Sequence, residues 1–323
     1  MSGSIPIARF LAKRVLLGLL TLLVISLMIF LVTQALPSDP ARVIMGRDAT
    51  PEAVKAFNLT NGLTKSLPSQ YGHWLSEILR GNFGKSYTTG ENLWGYIAPR
   101  VGASLFLLFC AGVVSIPLSV ALGTYAGLKR DKRFDQGSSI VLLLLAAMPE
   151  FVVGTLLIIL LSTYVFKLLP AVTYIPPDAP PWYDMKGLTL PVLTLVLAVM
   201  PYVARTMRAS IIEVLESDYI EMARLKGLPE KTVVWRHALP NSVGPVFQVI
   251  ALNLAYLAGG VIITERLFNF PGVGLALVDS VRARDLPVVQ FLALVIAAVY
   301  VLTNMIADIG TVLVTPRLRT KLQ

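Results

Sequence analysis

The sequence predicts an all-α membrane protein. It has six transmembrane helices with both ends in the cytoplasm, a small extracytoplasmic subdomain between helices 1 and 2, and a cytoplasmic helix pair between helices 4 and 5. Three observations predict it. Hydrophobic residues make up 55% of the 323 and charged ones 15%, and the mean hydropathy is +0.70. Apolar runs of about 20 residues or more, enough to cross a hydrocarbon layer of ~30 Å, recur along the chain. Lys and Arg gather at the ends of those runs. The same placement explains the net charge of +9. A nucleic-acid face would carry its basic residues in a stripe with interleaved aromatics, so no nucleic-acid partner is expected. The single cysteine, Cys110, lies in an apolar run; it excludes an intramolecular disulfide and a cysteine-based zinc site, and packing is its expected role.

Arg9, Lys13 and Arg14 precede the first apolar run, residues 15–36. It is about twice the length of a signal-peptide core, so it is read as a retained first span with its N-terminus inside. Residues 37–100 turn polar, with scattered Pro, Gly, Asn and Tyr, and form the extracytoplasmic subdomain. Gly84-Lys85-Ser86 invites a phosphate-loop reading, which fails because the pattern needs a glycine at position 79, where Leu79 stands. Residues 101–323 hold the remaining five spans. The second, 101–128, is closed by the cytoplasmic cluster Lys129, Arg130, Lys132 and Arg133. The third, about 138–169, contains Glu150 inside an apolar run. Such a carboxylate either faces a cavity or is satisfied by a neighbouring helix. Residues 170–187 form an outer loop with Trp182 and Tyr183 for the headgroup zone, and the fourth span, 188–207, carries Pro191 and Pro201. The fifth, 243–264, has Asn253 as its one amide. The last, 288–314, has Asn304 and Asp308 as packing or interfacial groups and ends in Arg317, Arg319 and Lys321.

Between the fourth and fifth spans lies a charged island, residues 218–240. Asp218 followed by Glu221 is a capping-box pattern. Gly227 suits the left-handed position after a helix, with Lys226 in the last turn and Pro229 opening a second helix that runs to His237. Ala223 and Gly227, four apart, share a face almost free of side chains, which looks like a docking surface.

The spacing Glu221, Ala223, Gly227, then His237, Leu239 and Pro240 resembles the E-A-A-x3-G-x9-I-x-L-P coupling motif of ABC importer permeases. Met222 and His237 depart from it. Glu265, Phe268, Pro271, Gly272 and Gly274 resemble the E-x-x-F-x-x-P-G-x-G outer-loop signature of the same family. The stretch GNFGKSYTTG, residues 81–90, resembles what precedes the second helix in its peptide branch. From residue 9 to 319 the chain thus resembles the peptide/opine/nickel permeases. The resemblance implies a subunit of the bacterial inner membrane without catalysis of its own. It would pair with a second, similar permease, two ATPase subunits that bind ATP and Mg, and an extracytoplasmic substrate-binding protein. No cofactor or metal is expected on this chain. Coupling to the ATPases is implied for Asp218, Tyr219, Glu221, Ala223, Lys226, Gly227, His237, Leu239 and Pro240, and Glu150 and Asn253 are candidates for the translocation path. The competing class, a transporter driven by an ion gradient, needs buried carboxylates or broken helices in two corresponding halves. The sequence shows one strong intramembrane acid and no evident repeat.

Overall fold

A computed structural model describes residues 4–35, 40–46, 49–176 and 179–314. It is helical throughout, and the described residues contain no strand, only an isolated bridge between Lys85 and Asn92. Four helices are long and apolar enough to cross a membrane, or six if each of two bent pairs counts as one span.

Helix α1 (Ser4–Gln34) leaves most of its apolar side chains uncovered, as a lipid-facing helix does, and packs along α13 (Leu286–Val314). Its C-terminal half is pinned by polar groups. Ser26 and the Tyr71 hydroxyl are 2.9 Å apart, Gln34 donates to Gln70 at 3.1 Å, and Gln290 of α13 donates to Thr33 at 2.8 Å. The subdomain that follows is built from α2 (Pro40–Met45), α3 (Pro51–Thr60) and α4 (Leu67–Leu79). Thr50 caps α3 through its hydroxyl and a proline opens each of the three, where the missing amide costs nothing.

The second span, α5 (Leu93–Leu128), begins eight residues earlier than the sequence predicts, inside the stretch assigned to the subdomain. Asn92 caps it by accepting from the Trp94 amide at 2.9 Å. Leu93 and Ile97 are fully buried in a cluster with Val288, Phe291 and Leu292. Tertiary burial thus extends a helix that composition alone ends at position 101. Helix α5 lies tightly along α8 (Met185–Leu215), the fourth span. At Gly123 a Cβ would strike the Ala204 carbonyl, so the two backbones touch there. Leu107, Val199, Val203, Met207 and Ile211 fill the core around that crossing.

The stretch expected as the third span is not one helix. α6 (Arg133–Ala147) and α7 (Glu150–Leu157) meet at an angle of 110°, and α7 widens into a π turn, Ile158–Thr163. The cause is Pro149. It cannot donate, and its ring forces Met148 into an extended conformation (φ −92°, ψ 132°) that ends α6. The start of α6 is anchored to α8 by a two-pronged ion pair, Arg208 Nε to Asp135 Oδ1 at 2.5 Å and Nη2 to Oδ2 at 2.6 Å, with Asp135 almost fully buried.

After α8 come the short α9 (Asp218–Leu225) and α10 (Glu230–Thr232), then α11 (Leu239–Phe268), the fifth span, which bends by 56° between Leu254 and Gly259. Helix α12 (Val273–Arg282) packs on α11, α13 and α5. Arg317, Arg319 and Lys321, and the side chain of Asp308, lie outside the described residues.

Candidate functional site

Three groups of side chains carry chemistry or close contacts, and each starts from a local sequence device. The first is the island between α8 and α11. Ser217, not Asp218, is the N-cap of α9 (φ −79°, ψ 147°), and the capping box does not form. The Ser217 hydroxyl instead donates to the Val214 carbonyl, and the Ser217 carbonyl accepts from Ile220 and Glu221. Asp218 stands in the first turn, where its charge suits the helix dipole. The other end of α9 is as predicted. Gly227 has φ +76°; Leu228 N–H reaches the Ala223 carbonyl at 3.3 Å and Gly227 N–H the Arg224 carbonyl at 2.9 Å, a complete Schellman ending. The second helix departs from expectation. Pro229 precedes α10 as its cap, and residues Val233–Ala238 form a π turn that runs without interruption into α11. Pro240 explains the widening, because its ring would crowd the carbonyl four residues back in an α-helix.

Ala223 and Gly227 do not share an open face. Ala223 and Ile220 turn into the chain's own core beside Met207, Ile211 and Val233, while Gly227 has empty space where a Cβ would sit. The outward face carries Tyr219, Met222, Leu225 and, from the next turns, Leu228 and Trp235, all exposed. Glu221, Lys226 and Pro240 are exposed with them; His237 and Leu239 are half-buried. Arg224 clamps the two halves through Glu230, at 2.8 Å and 3.2 Å, and that guanidinium holds the Glu230 carboxyl below its ordinary range. Sequence reasoning missed this pair, although a cation and an anion flanking the Gly-Leu-Pro turn are its visible signal.

The second group is the hairpin from α11 to α12. Asn269 ends α11 in the left-handed conformation (φ 52°, ψ 36°). The fully buried Glu265 then spans the turn, accepting from the Ser104 hydroxyl, from Gly274 N–H at 2.6 Å and from Leu275 N–H at 3.3 Å. Ser104 in turn accepts from Val273 N–H at 2.9 Å. The free amides of the first turn of α12 are therefore satisfied by two side chains from other helices. Phe268 is buried, and Pro271, Gly272 and Gly274 bring the chain back close enough for the glutamate to reach. Beyond α12, the buried Asp285 accepts from Ser86 Oγ (2.5 Å), Thr88 Oγ1 (2.7 Å), Tyr87 N–H (3.1 Å) and Thr88 N–H (3.2 Å). The Gly84-Lys85-Ser86 stretch thus serves as a clasp for the subdomain. Burial, reinforced by Asp285, pushes the Tyr87 phenol up to about 12. Neither Asp285 nor this use of Ser86 was singled out from sequence.

The third group surrounds Glu150, which is 8% exposed at the start of α7. Its Oε1 accepts from Thr264 at 3.4 Å, its Oε2 has no hydrogen-bond partner among the described residues, and the Gly260 backbone closes over it. It lines a cavity of about 460 Å³ with Tyr256, Tyr300 and Asn304. Asn253, whose amide donates to its own helix at Val249, lines a neighbouring cavity of about 820 Å³ with Tyr202, Arg205 and Arg208. Leu252 borders both, so one face of α11 runs along the pair.

Residues 119–320 match the family described as the binding-protein-dependent transport system inner membrane component, and residues 7–108 match its N-terminal companion. The chain belongs to that family. It is similar to a probable peptide ABC transporter permease of Sinorhizobium fredii (strain NBRC 101917 / NGR234), 33% identical over 96% of this chain and 99% of the relative. It is also similar to a glutathione transport system permease of Escherichia coli (strain K12), 35% identical over 97% and 99%. A putative peptide transport system permease of Brucella abortus (strain 2308) is 33% identical over 95% and 98%. The protein is thus a permease of an ABC importer, a multi-pass protein of the bacterial inner membrane. Its family works with ATPase and substrate-binding components.

Proposed function

We propose that this permease forms one half of the translocation pathway of an ATP-driven importer of di- or oligopeptides or related small solutes. The observation that carries the reading is the island at residues 218–240. It holds the coupling motif on a short, firmly ended helix whose outward face is apolar, a surface suited to seating in a partner. Two ATPase subunits would take that face and supply ATP and Mg, and a second, similar permease would complete the pathway. An extracytoplasmic binding protein would deliver solute at the subdomain side. The chain itself acts without catalysis: it binds, gates and transmits. Six spans, with α6–α7 and α11 each counted as one bent span, would leave the 218–240 island on the cytoplasmic side. The clasp at Asp285 then lies outside. The peptide class rests on the names of the relatives, and the two adjoining cavities that Glu150 and Asn253 line support a role for both on the path.

The test is solute uptake by the complete complex in sealed vesicles. Uptake that needs hydrolysable ATP and persists after ionophores collapse all ion gradients is expected. Uptake that follows the gradients and ignores ATP would overturn the reading in favour of a secondary transporter.

A further inference from the structure

The geometry points to the Glu150 cavity as a subsite for an ammonium group, such as the free amino end of a peptide-like solute. The inference rests on the pathway reading above and adds the chemistry that the path recognises. Glu150 is buried, and its carboxylate is under-used: among the described residues Oε2 is unpartnered and Oε1 has one long bond from Thr264. No Lys or Arg lines the cavity among the described residues, so none of those neutralises the charge. A carboxylate with no cationic partner among the described residues attracts a cation and gives a neutral guest no comparable interaction. The remaining polar lining suits the same guest. Tyr256 and Tyr300 add aromatic side chains to the lining, and Asn304 spends one amide hydrogen on the Tyr300 carbonyl at 3.0 Å while its oxygen has no bond to the chain among the described residues. The terminal torsion of a glutamate is broad and two-fold, so a small rotation brings an oxygen to a guest in the cavity. Gly260 keeps the acid in place, because any side chain there would occupy the position of the carboxylate.

The experiment uses Gly259→Cys in a Cys110→Ser background, in the complete complex in nanodiscs. Gly259 lines the cavity, and a Cβ there meets nothing within 4 Å, so the change is tolerated. The rate of labelling by a neutral maleimide is read in the presence of alanyl-alanine amide, which is cationic, or its N-acetyl derivative, which is neutral. The cationic probe should protect at concentrations about tenfold lower than the neutral one, the factor expected of one hydrogen bond to a charged group. Adding Glu150→Gln should remove that difference. Equal protection by the two probes, or a difference that survives Glu150→Gln, overturns the ammonium site. Transport after labelling separates this from the pathway itself. A blocked transporter with equal protection leaves the pathway standing and removes only the ammonium site, whereas full-rate transport by the labelled protein overturns the pathway reading on which the site rests.

Discussion

Asp285 accepts four hydrogen bonds from three consecutive residues almost two hundred positions earlier, so one carboxylate ties the stretch at residues 86–88 to the start of α13. Replacing it by Asn keeps the size and removes the charge that strengthens those bonds. Asp285→Asn should weaken the clasp by about 2 kcal/mol, the range for hydrogen bonds to a charged group. Amide exchange at Tyr87 and Thr88 should quicken accordingly, while amides of α5 and α8 stay protected. The Tyr87 phenol adds a pH dependence. Its pKa rises from 10 to about 12 on folding, so the folded state binds the proton more tightly. That contribution is complete below pH 10 and is lost as pH rises through about 12. The difference in tyrosinate absorbance between the protein and Tyr87→Phe should show that phenol ionising late in the folded protein and normally in denaturant. At Gly227 the sequence was readable because a left-handed ending has few solutions. At Ser217 it was not. Ser217 and Asp218 are adjacent, both are good caps, and only the bond to Val214 decides between them.

At the scale of the element, α9 has two faces with different tasks. Ile220 and Ala223 fix it to the core, and Tyr219, Met222 and Leu225 look outward. Ala223→Leu should destabilise the protein by about 1–3 kcal/mol through overpacking. Met222→Asp and Leu225→Asp should change its own stability by less than about 0.5 kcal/mol yet sharply reduce co-purification of the ATPase subunits. Loss of stability in the aspartate variants, or full co-purification, would contradict the assignment of faces. A small-residue docking face was expected from Ala223 and Gly227 because four-residue spacing puts positions on one side of a helix. The helix ends between them, and the left-handed turn carries Gly227 away. The break of the third span was likewise hidden in plain view. Met148-Pro149 states it, but in a membrane helix prolines are often absorbed, as α5 absorbs Pro99 and Pro117 without ending. What separates the cases is the backbone of the preceding residue, which packing decides.

At the scale of the whole molecule, class and order of elements follow from apolar length and the placement of Lys and Arg, which act locally and additively along the chain. The sites do not. Glu150 was conspicuous as an acid in an apolar run, but Tyr256, Tyr300 and Asn304 reach it from α11 and α13, and no spacing in sequence links them. The topology makes its own prediction. With Cys110→Ser as background, Asp131→Cys should react with reagents from the cytoplasmic side and Ser69→Cys from outside; both positions are exposed. The central claim, that residues 218–240 engage the ATPase, is tested most directly by a photo-crosslinking side chain at Leu225 in the intact complex. It should capture an ATP-binding subunit in high yield, while the same group at Ser69 captures none. Capture of an ATPase from Ser69, or only lipid from Leu225, would contradict the account.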